Sequence, residues 1–131
     1  MRYLNILLAS ASPEFLISSK HFISSLPAVD YVTSVVAASS IFEKLAVKDF
    51  DLIVLDARLP DMTGIDVARL VKLQAMPPKI ALVASNDYEF YLDTNTSTNI
   101  DGFIDRTEFV TQFQSLLESL FLLEKMEGDD N

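Results

Sequence analysis

The stretch DLIVLDARLPDMTG, Asp51 to Gly64, holds the residue with the most chemical potential in the chain. An apolar run ends in the carboxylate Asp56, and a Pro-containing loop closed by Gly64 follows. A carboxylate at the end of a rigid strand can be a chemical site. It can equally be a strand-ending Asp that caps the next turn. Arg106 stands at the end of a second apolar run, GFID. Its guanidinium keeps a permanent charge and can grip a carboxylate through two hydrogen bonds. Other polar residues have plainer explanations. His21, the only histidine, sits beside Phe22 in a helical stretch and reads as a partly buried surface side chain. Glu14 lies in a first helical turn, where a carboxylate faces the positive end of the dipole. Met62 and Thr63 read as loop-filling residues.

Several function classes lack their residues. The chain carries no GxGxxG, no P-loop, no His or Cys nucleophile arrangement, and only three glycines. Without glycine, backbone amides cannot easily crowd a phosphate. With no cysteine, disulfides and thiolate metal sites are excluded, and a reducing, cytoplasmic setting fits. The net charge of −9 repels phosphate backbones, so direct nucleic-acid binding is not expected. No apolar run approaches the roughly 20 residues that span a bilayer, so no membrane association is expected. MRYLNILLASAS resembles a weak signal peptide, but its apolar run of about five residues is too short and is needed as a strand.

The 131 residues suit one domain, and a hydrophobic content of 50% supports a real core. Short β-like runs alternate with helical patterns. Strands are expected at Asn5 to Ala9, Tyr31 to Ala37, Asp51 to Leu55, Lys79 to Ser85 and Gly102 to Asp105. DLIVL is a continuous apolar run, the kind buried on both faces of a parallel sheet. Ser12, Pro13 and Glu14 open a first helix that stops near Pro27. SIFE, Ser40 to Glu43, has capping-box form and is expected to start the second. A third helix from Ile65 should turn Ala68 and Val71 inward and Asp66, Arg69 and Lys72 outward, ending before Pro77 and Pro78. DYEFYLDTNTSTN should be helical by alternation, yet Thr94 to Asn99 are poor helix formers, so a short or mobile element is expected. A last helix is expected from Glu108 to Lys125. Its apolar residues cover an arc of roughly 160°, wider than the ~100° stripe of a one-sided surface helix. Either the arc lies deep in the core or one edge of it packs on a partner.

Five strands each followed by a helix imply a doubly wound parallel α/β sheet with right-handed crossovers. In such a sheet the ligand site lies beyond the carboxyl ends of the strands, where Asp56 sits at the centre of the converging segments. Residues 1–125 form the expected domain, and 126–131 an acidic tail or the start of a linker.

These segments resemble the receiver domain of two-component response regulators, over nearly the whole chain to about Leu123. That family carries an apolar strand ending in the phosphoacceptor Asp, then a hydrophobic-Pro pair, then a Gly. Here these are Asp56, Leu59, Pro60 and Gly64. The resemblance implies the flavodoxin-like (βα)5 fold, with strand order 2-1-3-4-5, and a signalling module rather than an enzyme. It also marks departures. The two acidic positions after the first strand hold Ser10 and Ala11. The Thr or Ser position at the end of the fourth strand holds Val83, followed by the expected small residue Ala84. Moving the register to use Ser85 would misplace that strand. The Lys position after the fifth strand holds Arg106. Phe103 matches the aromatic whose rotamer reports activation, and its plainer reading is a core residue.

The resemblance implies Mg²⁺ at the acceptor, but the candidates left here, Asp56 and the carbonyl of Arg58, make a weak site. Losing one unit of opposite charge at ~4 Å costs about 4 kcal/mol at an effective dielectric of ~20, several powers of ten in rate for a divalent ion. The expectation is therefore no resident cofactor, Asp56 at the phosphoacceptor position, and weak or absent Mg²⁺-dependent phosphorylation. An Arg106–Asp56 pair should hold the unmodified site closed. Expected partners are a histidine kinase or another signalling protein, and an output domain or second copy docking on Tyr88, Phe90, Tyr91 and the last helix. Two alternatives stay open: a conventional phospho-accepting receiver cut from a DNA-binding regulator, and a small-ligand binder or enzyme on a flavodoxin-like fold.

Overall fold

In a computed structural model, which describes residues 3–85 and 99–121, the sheet is parallel and five-stranded, in the order β2-β1-β3-β4-β5. The strands are β1 (Leu4–Ala9), β2 (Val29–Val35), β3 (Leu52–Asp56), β4 (Lys79–Ala84) and β5 (Gly102–Asp105). The helices described are α1 (Pro13–Ser24), α2 (Ala38–Val47), α3 (Gly64–Val71) and α4 (Phe109–Leu120), the last entered through a 3₁₀ turn at Arg106–Glu108. This is the parallel α/β sheet expected from the alternation of patterns, in the flavodoxin-like strand order that the resemblance implies.

Period-two alternation sends each strand's side chains to two cores, one per face. Leu7, Ile53, Leu55, Ile80 and Leu82 pack against α2 and α3 through Ile41, Val67 and Val71. Ile6, Leu8, Leu52, Val54 and Ala81 pack on the other face against Leu16 and Ile23 of α1 and Phe109, Phe113 and Leu117 of α4. Leu52 to Leu55 are wholly buried because helices cover both faces of the central strand. Ala68 and Val71 of α3 are buried as their spacing predicts, and Arg69 is exposed.

The starts of two elements differ from the sequence expectation by two residues. β2 starts at Val29 and ends at Val35, two residues earlier than the β-branched run suggests. A parallel edge strand must begin level with its neighbour, and Leu4 pairs with Val29 while its N–H donates to the carbonyl of Ala28 at 2.8 Å. Val36 and Ala37 then leave the sheet. Helix α2 begins at Ala38, so Ser40 lies inside it rather than capping it, and Ala37 at the cap position makes no side-chain bond. The cap comes from elsewhere in the chain. The Asp61 carboxylate accepts the N–H groups of Ala38 at 2.8 Å and Ser39 at 3.0 Å. Helix α1 follows its signals, with Ser12 accepting from the Phe15 N–H and Pro13 at the first position.

The broad apolar arc of α4 divides. Phe109, Phe113 and Leu117 are buried, Leu116, Leu120 and Phe121 half-buried, and Val110 exposed. Phe103 is not a core residue. It stands on edge strand β5 with 37% of its surface exposed. His21 is exposed rather than partly buried. Tyr88, Phe90, Tyr91, Leu123 and the expected acidic tail lie outside the described residues. Among the described residues no helix is long and apolar enough to cross a membrane.

Candidate functional site

The carboxyl ends of β1, β3 and β4 and the turn after β5 converge on Asp56. The β3 backbone carries the Asp56 carboxylate to the rim of the sheet, where it is 7% exposed. The loop behind it is closed by backbone bonds. The Ala57 N–H donates to the Val83 carbonyl at 2.9 Å, and the Gly64 N–H donates to the Ala57 carbonyl at 2.8 Å. Gly64 is needed here because a Cβ would lie 2.6 Å from the Asp56 carbonyl oxygen and 2.8 Å from Leu82 Cδ1. Thr63 does more than fill the loop, since its hydroxyl caps α3 by accepting the Asp66 N–H at 3.2 Å.

Both carboxylate oxygens of Asp56 have donors. Oδ2 accepts the Ser10 hydroxyl at 2.9 Å and a guanidinium N–H of Arg106. Among the described residues, Oδ1 accepts only the Arg58 N–H, at 3.3 Å, a long and weak bond. Ser10 is wholly buried, and its oxygen also accepts the Ser12 N–H at 3.1 Å. The serine thus joins the start of α1 to the carboxylate. Arg106 is held twice more. Its guanidinium carbon lies 4.7 Å from the centre of the Phe15 ring, a cation–π arrangement. Its backbone lies in the turn that Asp105 organises by accepting the Thr107 N–H at 3.1 Å and hydroxyl at 3.0 Å. Phe15 meets Phe109 edge-on at 5.2 Å, and Phe109 stacks on Phe113 at the same centroid distance.

A cavity of about 440 Å³ opens beside Asp56, lined among others by Ala11, Arg58, Ala84 and Arg106. Val83 is not among its lining residues. Its side chain is wholly buried in the α1/α4 core, so it reaches the site through its carbonyl alone. β4 ends at Ala84, and Ser85, the residue the alternative register would have used, lines the cavity instead. Phe103 does not line it. Ser12 also lines it, and sequence reading missed Phe15, which supports Arg106. Nothing local marks Phe15 as a neighbour of Arg106.

The donors present do not fit a magnesium ion well. Mg²⁺ requires near-octahedral oxygen ligands, usually with one or two carboxylates. Among the described residues no group of three His, Cys, Asp or Glu side chains could hold a metal. One oxygen of Asp56 already carries a fixed cation and a hydroxyl donor.

The strand order, with a carboxylate at the end of the central strand, defines the flavodoxin-like class to which receiver domains belong. The model of the response regulator receiver domain family matches residues 6–118. The chain belongs to that family. Among solved structures it is similar to the receiver domain (CheY-like) from Methylobacillus flagellatus, with TM-score 0.79 and 13% identity, covering 89% of this chain and 98% of that one. It is also similar to the non-phosphorylated receiver domain of the stress response regulator RcsB from Escherichia coli, with TM-score 0.80 and 18% identity over 91% of this chain and 93% of that one. A third similar structure, RcsB from Salmonella typhimurium in a study of DNA interaction, has TM-score 0.78 and 17% identity. The match covers 92% of this chain but 60% of that one. No curated protein matches the chain.

Proposed function

We propose that this chain is a receiver of altered site chemistry. Asp56 occupies the phosphoacceptor position, its Mg²⁺-dependent phosphorylation is weak or absent, and the domain signals through protein–protein contacts. The single observation that carries the reading is the grip on Asp56 Oδ2, shared by the Arg106 guanidinium and the Ser10 hydroxyl. A hydroxyl donor stands where the family keeps a metal-gathering carboxylate. It stabilises the anionic Asp56 but supplies no positive charge for an incoming phosphoryl donor. Arg106 neutralises the acceptor without giving two anions a shared divalent centre.

The partners proposed are a histidine kinase or other signalling protein, and an output domain or second copy reached through the last helix, where Val110 is 62% exposed. The cysteine-free composition supports a cytoplasmic setting. The test is an intact mass after incubation with acetyl phosphate and Mg²⁺. The expected spectrum has no stoichiometric phosphoryl adduct. One phosphoryl group per chain, absent in Asp56→Asn, refutes the reading.

One observation favours a second reading, a conventional phospho-accepting receiver. Asp56 Oδ1 is only loosely held, and the exposed Ser85 lines the adjacent cavity. The same mass measurement selects between the two.

A further inference from the structure

Strand β2 lies at one edge of the sheet, and among the described residues it pairs with β1 alone. At seven residues it is the longest of the described strands, against four in β5 at the other edge. A free edge is a row of unpaired N–H and C=O groups, which proteins usually blunt with lysine, proline, a bulge or a short strand. The β2 sequence VDYVTSV contains no lysine, arginine or proline. Its irregularity is at the start, where Leu4 pairs with Val29 and Asn5 with Tyr31, leaving Asp30 as an extra residue. From Tyr31 to Val35 the register is regular. We propose that this edge pairs antiparallel with β2 of a second copy of the chain, about a two-fold axis at Thr33, so that two five-stranded sheets become one. The surface is separate from α4, and the proposal does not depend on the phosphorylation of Asp56.

Backbone direction selects the register. The Val35 carbonyl accepts the Ser10 N–H at 3.1 Å, so the polar groups of Val35 face β1. These groups alternate along a strand, so those of Thr33 and Tyr31 also face β1, and those of Val32 and Ser34 face outward. An axis at Thr33 sets Val32 opposite Ser34 of the second copy, and each such pair exchanges both of its N–H···O bonds. Every outward group of the regular stretch then finds a partner. An axis at Val32 or Ser34 would instead draw in the bulged Asp30, or Val36, which lies beyond the strand. The side chains suit the same register. Thr33 meets Thr33 of the second copy in the closer, non-hydrogen-bonded kind of pair, where the two hydroxyls can bond. Tyr31 meets Val35, an aromatic–β-branched pair. The Lys48 ammonium lies 3.7 Å from the centre of the Tyr31 ring and fixes it by a cation–π contact. Tyr31, Thr33 and Ser34 are half-buried rather than sealed beneath the helices. The charge on the edge, Asp30, falls opposite the exposed Val36 of the second copy. The two Asp30 residues stand six positions apart along the pair (36 less 30), about 20 Å at ~3.4 Å per residue and beyond the Debye length of about 8 Å. No like charges are directly opposed across the strands.

The test is sedimentation equilibrium of the full chain up to millimolar concentration, at low and raised salt. A weak dimer is expected, with a dissociation constant of roughly 100 µM, since a paired edge buries less than the ~1,200 Å² of stable complexes. Salt should tighten it severalfold, because screening removes the repulsion between two chains of net charge −9. Ser34→Pro removes an outward N–H, a change that edge strands tolerate, and should abolish the dimer. Thr33→Lys and Thr33→Glu each set like charges across the axis, so each alone should be monomeric. An equimolar mixture of those two variants should dimerise again, since the axis sets residue 33 opposite itself. Val110→Glu, on α4, should leave the association unchanged. Thermal melts check that each variant folds, and if Ser34→Pro melts early the Thr33 variants decide alone. A chain that stays monomeric at millimolar concentration overturns the proposal. So does a dimer that Thr33→Lys leaves intact, a mixture of the Thr33 variants that stays monomeric, or a dimer that Val110→Glu dissolves. None of these results bears on the mass measurement at Asp56, which succeeds or fails by itself.

Discussion

Asp56 has two unlike oxygens. Oδ2 is held by a buried hydroxyl and a stacked guanidinium, and Oδ1 by one long backbone bond. What distinguishes this residue from a metal-gathering acceptor is therefore its neighbours Ser10 and Ala11. Replacing both with Asp should restore an oxygen cluster, and the cost should be visible without metal. Like charges beside a 7%-exposed carboxylate repel, so the Ser10→Asp, Ala11→Asp variant should melt below the parent in chelator. Binding of Mg²⁺ to the folded form alone should then raise its melting temperature, by about 3 °C or more once the metal exceeds its dissociation constant tenfold. The parent's melting temperature should not respond. Differential scanning calorimetry with and without Mg²⁺ checks both, and a parent that gains as much as the variant counts against the residue-level account.

At the scale of elements, the loop after β3 does more than present Asp56. Its Asp61 caps α2, a helix with no cap of its own. The N–H groups of Ala38 and Ser39 favour the charged carboxylate and hold its pKa below the ordinary value. The folded pKa is depressed, so the stabilisation is fully present above the unfolded value. It is lost as pH falls through the lower folded value. Asp61→Ala should therefore lower the urea midpoint at neutral pH, and the gap between variant and parent should narrow on acidification through that window. Urea melts at stepped pH measure it. A gap that is constant down to the acid limit would mean that the carboxylate charge contributes nothing to α2. The far end of α3 is tied in a similar way. Asp101 accepts the Ile80 N–H at 2.8 Å and the Lys72 ammonium at 2.7 Å, joining helix, β4 and the approach to β5.

For the whole molecule, the two cores are unequal in what they support. The α1/α4 core carries the aromatic group of Phe15, Phe22, Phe109 and Phe113, and Arg106 rests on one member of it. Phe113 is wholly buried at its centre. Phe113→Ala should cost about 3–5 kcal/mol, from lost transfer energy and the cavity left behind. That is a large share of the roughly 5–15 kcal/mol that stabilises a typical domain. Urea denaturation gives the value. A loss below about 1 kcal/mol would mean that the face repacks freely and gives Arg106 no firm support.

The chain's local chemistry determined the elements and their order. Ser12 and Pro13 start α1 where they stand, and the apolar run of the central strand delivers Asp56 to its carboxyl end. These features depend on residues within a few positions of one another, so spacing and type suffice to read them. The pairing of Asp56 with Arg106 was also foreseeable, because both stand at carboxyl ends of strands in one sheet. Tertiary structure alone decided the rest. Ser85 faces the cavity and Val83 does not, because β4 stops at Ala84 and strand register sets which side each residue takes. Asp61 caps a helix 23 positions away, and Phe15 supports an arginine on another element, because packing brings them together. Phe103 is exposed while Ile104 beside it on β5 is wholly buried, because successive side chains take opposite faces and Ile104 takes the one that packs on α4.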